Sequence, residues 1–348
     1  MELDPAKLEP LLGTVVNELG AAANGALVMI GDKLGLFKAL AKGSLTSAGL
    51  AEATGTHERY VREWLSAQAA SGFVTYDPEC ATFRLTPEQA AVFANEESPV
   101  FMGGGFMSVA AVYADEPKLA QAFQTGDGIG WGDRCNCLFC GTERFFRPGY
   151  KAHLVDEWLP ALDGVVDKLE AGAGVADVGC GHGASTLIMA DAFPKSCFLG
   201  IDFHDASIAE ARKHIGRRKN VNFKAARAED FRDAGFDLVT IFDALHDMGD
   251  PVGVARHLRH TLKDDGTLMV VEPLAGNGLP DNLNPVGRVF YAFSTSVCVP
   301  ASLNQEGRMA LGAQAGEARL REVLREGGFT RIRRAIETPF NMVIEARV

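Results

Sequence analysis

The chain has 348 residues, 34 Lys and Arg against 45 Asp and Glu, a formal net charge of -11, and 47% hydrophobic residues. At about 150 residues per domain the length suggests two domains. The composition excludes a mainly disordered chain and argues against an obligate nucleic-acid binder, which needs a surplus of cations. The N-terminus reads Met-Glu-Leu-Asp-Pro, acidic where a secretory leader would be basic. The apolar stretch near it, Ala26 to Ile30, is too short to span a bilayer. Seven scattered cysteines form no evident disulfide framework. The expectation is a cytoplasmic protein without a membrane partner.

Residues 15–42 read as helix, with apolar Val28, Met29, Leu34, Leu36 and Phe37 near helical spacing. A short helix follows over 45–55, stopped by Gly55. Thr56 can cap the next, 57–70, whose Val61, Trp64, Leu65 and Ala69 form one apolar stripe. Phe73 to Tyr76 and Thr82 to Leu85 then predict two short strands around Asp77-Pro78. Helix, turn, helix and a two-stranded wing describe a winged-helix module. Over 44–87 its three basic residues (Arg59, Arg62, Arg84) face five acidic ones (Glu52, Glu58, Glu63, Asp77, Glu79), a net of -2. Phosphate contact is disfavoured by that balance. A homodimer joined through this module is expected instead.

Residues 99–150 are rich in Gly, Phe and Met, with Phe101, Met102, Phe106, Met107, Phe145, Phe146 and Tyr150. They could form one wall of an apolar acceptor pocket, or simply pack beneath a connecting segment. Gly103 to Gly105 has no explanation at this level. Cys135-Asn136-Cys137-Leu138-Phe139-Cys140 offers three thiols, but zinc sites usually show two separated ligand pairs and no second pair exists. Reduced loop cysteines without metal are expected.

From Gly172 strands and helices alternate. Strands are read at 175–178, 197–202, 221–225, 236–242 and 267–272, with helices at 184–193, 206–215 and 251–262 between them. After a long segment, 274–316, come a helix (317–326) and two β-type runs, 330–336 and 341–346, separated by a turn at Pro339. This predicts an α/β fold, a doubly wound, mostly parallel sheet, closed by an antiparallel last strand. The expected layout is a winged-helix-like dimerisation or substrate domain over 1–95, a connecting segment and substrate wall over 96–150, and a ligand-binding domain over 151–348, with 274–316 as a lid.

The informative segment is Ala176-Asp177-Val178-Gly179-Cys180-Gly181-His182-Gly183-Ala184. A strand enters a glycine turn and then a helix, so backbone N–H groups can approach a ligand closely. Gly179, Gly181 and Ala184 also satisfy G-x-G-x-x-A, which suggests a dinucleotide. Asp202, ending the second strand, suits ribose hydroxyls in either reading. Asp177 separates the two: its carboxylate would oppose a pyrophosphate but suits an ammonium or sulfonium.

With these motifs the sequence resembles the class I S-adenosylmethionine-dependent methyltransferases over about residues 150–348. With its winged helix it is similar to a bacterial group of small-molecule O-methyltransferase type, often labelled possible transcriptional regulators. The segments that carry the resemblance are Asp177 to Gly183, Gly200-Ile201-Asp202, and Asp243-Ala244-Leu245-His246-Asp247. It implies a Rossmann-like seven-stranded sheet and S-adenosylmethionine as cofactor. Gly179, Gly181 and Gly183 would pass beneath the methionine and ribose, and Asp202 would take the ribose hydroxyls. Phe203 would lie against the adenine, flanked by 226–231, including Ala228 and Glu229; Asp243 and Ala244 would complete the site. Arg227 stands where many relatives carry Asp, leaving Glu229 or Asp230 for the adenine amino group.

His246 and Glu272 follow adjacent strands at the carboxyl edge where such sheets place their ligands. A His beside a carboxylate is a workable general base. Leu245-His246-Asp247-Met248 and Val271-Glu272-Pro273 resemble the corresponding segments of plant-type O-methyltransferases, Met248 replacing Trp. The expectation is that His246 deprotonates a hydroxyl of a small aromatic or apolar methyl acceptor and Glu272 orients it. A purely structural His246 is the competing reading. The functional alternative is a ligand-responsive winged-helix regulator that uses the cofactor fold as a sensor.

Overall fold

A computed structural model describes residues 3–348. The chain divides into two compact units. One comprises residues up to Tyr113 with Cys140–Pro148, the other Ala114–Phe139 with Gly149–Val348. The chain therefore passes between the units three times, all within the 96–150 stretch expected to connect the two domains.

The first unit begins with α1 (Pro5–Lys33), started by Asp4, whose side chain accepts the Ala6 N–H, and by Pro at its first turn. It begins ten residues earlier than periodicity suggests and ends at Leu34-Gly35, where Gly35 takes φ +71, before α2 (Leu36–Leu40). Then come α3 (Ser47–Thr54) and α4 (Glu58–Ala70). The cap of α4 is His57, not Thr56: the ring Nδ1 of His57 accepts the Arg59 N–H at 3.2 Å. The wing is β1 (Thr75–Asp77) and β2 (Thr82–Arg84), antiparallel, with Leu45 bridging to Phe83 as a third short edge. A further helix, α5 (Pro87–Phe93), follows, closed by a Thr86/Gln89 capping box.

Val28, Phe37, Leu50, Val61, Trp64 and Leu65 form the core of this unit. Arg62 is bonded to Glu58, and Arg59 to Glu63 at 2.6 Å, so the α4 arginines are neutralised within their own helix.

The helices α6 (Gly103–Ala114), α7 (Glu116–Thr125) and α8 (Asn136–His153) occupy the Gly/Phe/Met-rich region. Here the glycine run finds its reason. A Cβ on Gly104 would lie 2.4 Å from the Phe145 backbone nitrogen, and one on Gly141 would lie 2.7 Å from the Ser108 hydroxyl oxygen. The backbones of α6 and α8 touch where they meet, which only glycine permits. Cys135 and Cys137 form a disulfide and Cys140 is free and exposed, correcting the expectation of three reduced thiols.

The second unit carries α9 (Val165–Ala171), β3 (Gly174–Val178), α10 (Ala184–Ala192), β4 (Cys197–Asp202), α11 (Asp205–Lys213), β5 (Val221–Ala225), β6 (Phe236–Phe242), α12 (Pro251–Thr261) and β7 (Leu262–Pro273). After β7 the chain forms α13 (Pro285–Phe293), α14 (Val299–Leu303), α15 (Gly316–Glu326), β8 (Arg331–Glu337) and β9 (Asn341–Arg347). The sheet order is β5-β4-β3-β6-β7-β9-β8, parallel through β7, with β9 antiparallel between β7 and β8. This is the expected seven-stranded Rossmann-like sheet.

Strand β7 starts five residues early. Leu262 pairs with Phe236 across an irregularity that absorbs the polar run Lys263-Asp264-Asp265. Val178, Ile201, Val239, Ile241, Val270 and Ile344, all fully buried, make the sheet's interior. Burial on both faces explains why these strands read as continuous apolar runs. The segment 274–316 is not a bare loop, since it holds α13, α14 and a wide turn at Ser294–Cys298.

Candidate active site

The parallel strands end together, and the loops that leave them carry the polar groups. At the end of β3, Gly179, Gly181 and Gly183 have φ of +76, +52 and +81. Such angles are strained for any other residue. The N–H groups of Gly179 and Cys180 both bond to the Ile201 carbonyl, at 2.8 and 3.1 Å, which draws the loop towards β4. A Cβ on Gly183 would collide with Phe223 at 2.5 Å, whereas one on Gly181 would meet nothing within 4 Å. The loop thus packs tightly at its helix end and is open in the middle, where a ligand could approach the backbone.

Asp202 fixes that opening. Its Oδ2 accepts the Gly181 N–H at 2.9 Å and its Oδ1 accepts the His204 N–H at 2.8 Å. Burial pushes its carboxyl above the ordinary value, opposed by those two donors. Phe203, next in sequence, is 54% exposed, a free aromatic face at the strand end. Further along, Glu229 pairs with Arg227 at 3.2 Å, and Ala228 packs against the sheet core.

Asp177 behaves differently from its neighbours. It is buried, and its carboxylate accepts hydroxyl hydrogen bonds from Ser185 (2.7 Å), Thr186 (2.5 Å) and Thr240 (3.0 Å). These bonds fasten β3 to β6 and to the first turn of α10. The expected pairing with a bound ammonium has no open face here; the observed partners of Asp177 are the protein's own hydroxyls.

Asp243 leaves β6 with φ +48, a left-handed backbone at a non-glycine position. Its N–H bonds to the Val271 carbonyl at 2.8 Å. Its carboxylate accepts from the Tyr150 hydroxyl at 2.9 Å and the Asn341 amide at 2.8 Å. Burial, reinforced by the charge of Glu272, pushes the Asp243 carboxyl up to about 7. Tyr150 and Asn341 have no local motif, because they lie 93 and 98 residues away in sequence. Ala244 follows, close enough to the glycine loop that a Cβ on Gly179 would be 3.0 Å from its own.

The turn Leu245–Asp247 holds the expected pair together. Glu272, buried at the end of β7, accepts the backbone N–H groups of Leu245 (3.0 Å) and His246 (3.3 Å) on Oε1, while Oε2 bonds to Nδ1 of His246. On the other side of the ring, Nε2 faces Asp247 Oδ1 at 3.2 Å. The Cys298 thiol completes the group, ligand atoms of His246, Asp247 and Cys298 lying within 4.8 Å of one another. Burial alone would lower the His246 pKa. The negative charge of Glu272, then of Asp247, outweighs it and holds the imidazole well above its ordinary value. Burial beside Asp247 pushes Cys298 up to about 12, so it is a neutral thiol.

The segment after β7 packs over this turn. The Ser302 hydroxyl donates to the Met248 carbonyl at 2.8 Å, and the Gln305 amide donates to the Asp247 carbonyl at 2.8 Å. The residues named from sequence therefore fall into two neighbouring groups. Glycine loop, Asp202 and Phe203 make a cradle; Asp243, His246 and Glu272 line the adjoining edge, which Cys298, Tyr150 and Asn341 complete.

Comparison with known proteins bears on the two domains and on the fold. Residues 169–328 match a family model described as a methyltransferase domain, and residues 22–95 one described as an Rv2258c-like winged HTH domain. The mitomycin biosynthesis 6-O-methyltransferase of Streptomyces lavendulae is 26% identical over 281 residues, covering 75% of this chain and 77% of that protein. A putative O-methyltransferase from Nostoc punctiforme has a similar structure, with a TM-score of 0.72 at 19% identity over 99% of both chains. Human N-acetylserotonin methyltransferase, solved with S-adenosylmethionine, gives a TM-score of 0.69 at 18% identity, covering 99% of this chain and 98% of that one. At such identities the structures speak for the fold, and the two family models for the domains. The chain thus matches a methyltransferase domain over residues 169–328, preceded by an Rv2258c-like winged HTH domain over residues 22–95.

Proposed function

We propose that this chain methylates a hydroxyl of a small, aromatic or apolar acceptor, with His246 as general base and Glu272 as its positioning partner. The observation that carries the reading is the buried His246–Glu272 pair, set beside the glycine loop at the carboxyl edge of the sheet. The O-methyltransferase names of the relatives reported above support it.

The residues present fit S-adenosylmethionine. Gly179, Gly181 and Gly183 would pass beneath the methionine and ribose, with the loop backbone open at Gly181; Asp202 would offer carboxylate oxygens to the ribose hydroxyls, and Phe203 an exposed ring to the adenine. Ala228 and Glu229 would flank the adenine, and Asp243 and Ala244 the methionine end. When bound, the cofactor supplies an already activated methyl group. The chain's own task is then to orient the acceptor oxygen and receive its proton at Nε2 of His246. Glu272, bonded to Nδ1, stabilises the imidazolium so formed.

Protein incubated with methyl-labelled S-adenosylmethionine and a panel of hydroxyarenes is expected to yield methyl ethers, identified by NMR. Label found only on carbon or nitrogen would overturn the O-methylation reading. The regulator alternative has little support, because the α4 arginines are already paired with glutamates.

We further infer a homodimer built on the N-terminal domain. Leu11, Leu12, Val15, Val16 and Leu19 of α1 are all exposed, an apolar surface that a water-soluble monomer rarely leaves open. By length and composition alone α1 could also cross a membrane. Light scattering after gel filtration is expected to give twice the chain mass, and Leu12→Asp with Leu19→Asp to give the monomer. A monomeric wild type, or partition of the wild type into lipid vesicles, would refute the dimer.

A further inference from the structure

Arg134 is a buried charged side chain of the second unit that the cofactor and proton-transfer roles above leave unexplained. Its side chain is 1% exposed. Neither Nε nor Nη2 has a hydrogen-bond partner among the described residues. Leaving ionic donors unpaired in a protein interior is costly, so each such group calls for a partner, which a ligand can supply. The nearest carboxylate is that of Asp115, which reaches only Nη1, at 3.9 Å. Asp115 does not depend on that contact, since it already accepts from Lys118 Nζ at 2.8 Å and from the Cys135 N–H at 3.2 Å.

The position of Arg134 relates it to the reacting groups. It closes the short turn Trp131–Asp133, in a segment pressed against the chain around α14. The Ile129 N–H bonds to the Pro300 carbonyl at 2.9 Å, and a Cβ on Gly128 would lie 2.0 Å from the Asn304 nitrogen. Through Ser302 and Gln305 the same stretch grips the turn that bears His246 and Asp247. Cys298, immediately before α14, reaches the His246 group itself. Burial lowers the Arg134 pKa below its ordinary value, and the charges of Asp115 and Asp247 only partly oppose it.

The two orphaned donors, Nε–H and Nη2–H, lie on the same edge of the guanidinium plane, the edge that binds a carboxylate side-on through two parallel hydrogen bonds. The charges of Asp115 and Asp247 that act on the guanidinium would repel a dianion such as a phosphate more strongly than a monoanion. Resting on the O-methylation reading above, we propose that Arg134 is a specificity residue that binds a carboxylate of the methyl acceptor, so that the acceptor class is a hydroxylated carboxylic acid. The carboxylate anchors the molecule while its hydroxyl is presented to His246.

The test uses full-length protein saturated with S-adenosylhomocysteine and calorimetry with 2-, 3- and 4-hydroxybenzoate, each against its hydroxybenzamide. At least one hydroxybenzoate is expected to bind about tenfold or more tighter than its amide, as a charge-assisted pair requires. Arg134→Gln is expected to erase that preference, and Arg134→Lys, which keeps the charge without the fork, to retain part of it. Arg134→Gln removes an unpaired buried charge, so a folded protein is expected, with the affinity for S-adenosylhomocysteine unchanged.

Equal binding of acids and amides, survival of the preference in Arg134→Gln, or no hydroxybenzoate binding by protein that does bind S-adenosylhomocysteine would each overturn the proposal. So would a loss of S-adenosylhomocysteine affinity in Arg134→Gln, which would assign the guanidinium to the methionine carboxylate. The two readings fail separately. Acids that bind through Arg134 but receive no methyl on oxygen would refute O-methylation and leave the anion site standing. Amides methylated as readily as acids would do the reverse.

Discussion

Replacing His246 by Ala is expected to lower the turnover of methyl transfer about 100- to 10,000-fold, the usual contribution of a positioned base, while leaving cofactor affinity within about twofold. The asymmetry follows from the geometry. His246 touches Glu272, Asp247 and the Cys298 thiol, and none of the glycine-loop or Asp202 contacts passes through its ring. The pH dependence gives a sharper test. The charges of Glu272 and then Asp247 outweigh burial and hold the imidazole pKa well above its ordinary value. A base must be neutral to accept a proton. The rate should therefore rise with pH, along a limb displaced to the alkaline side of an ordinary histidine.

Glu272→Gln removes the charge responsible for that displacement while keeping an oxygen for the Leu245 and His246 N–H groups. The limb should move to lower pH even as the maximal rate falls, because the imidazolium formed in the reaction loses its counter-charge. A histidine that merely completes the turn would give neither result. Near-wild-type turnover in His246→Ala, or an unmoved limb in Glu272→Gln, would dismiss the base assignment.

What could be read from the sequence follows from how local each signal is. The strands β3, β4 and β6 are largely buried on both faces, so they appear as mainly apolar runs, interrupted by Asp177 in β3 and by Asp237 and Thr240 in β6, and their positions are close to those expected. The His246–Glu272 contact was legible because both residues sit at the ends of adjacent parallel strands, whose register brings Phe242 beside Val271.

Tyr150, Asn341 and Arg134 gave no such signal. Tyr150 and Asn341 reach Asp243 from distant segments, and the burial of Arg134 also comes from tertiary packing; single-sequence periodicity carries no information about contacts of that range. Asp177 was readable as important from its charge, which suggested a cationic ligand; its three hydroxyl partners, Ser185, Thr186 and Thr240, were not legible. The beginning of α1 was missed because its apolar face lies on the protein surface, where the pattern of a helix packed on its own core does not apply.

Asp202→Ala should have the largest effect on cofactor affinity, raising the Kd for S-adenosylmethionine about 100-fold or more. A carboxylate accepting two ribose hydroxyls makes two charge-assisted hydrogen bonds, each of about 1.5–3 kcal/mol, and a tenfold change corresponds to about 1.4 kcal/mol. The same carboxylate pins the loop, accepting the Gly181 and His204 N–H groups, so some of the loss would come from an unfastened cradle. Asp202→Asn separates the two contributions. Its amide oxygen can still accept one of those N–H groups, but its NH2 cannot accept, and the negative charge is gone; an intermediate loss of about tenfold is expected.

The pH sign is also fixed. Burial raises the Asp202 carboxyl above its ordinary value, so the ionised form that the ribose requires is lost earlier on acidification than for an exposed aspartate. Affinity should fall as pH drops through that raised pKa, and in Asp202→Asn this acid limb should disappear. Unchanged affinity in Asp202→Ala, measured by calorimetry on protein whose melting temperature stays within a few degrees of wild type, would remove Asp202 from the ribose site and leave it only the role of a loop fastener.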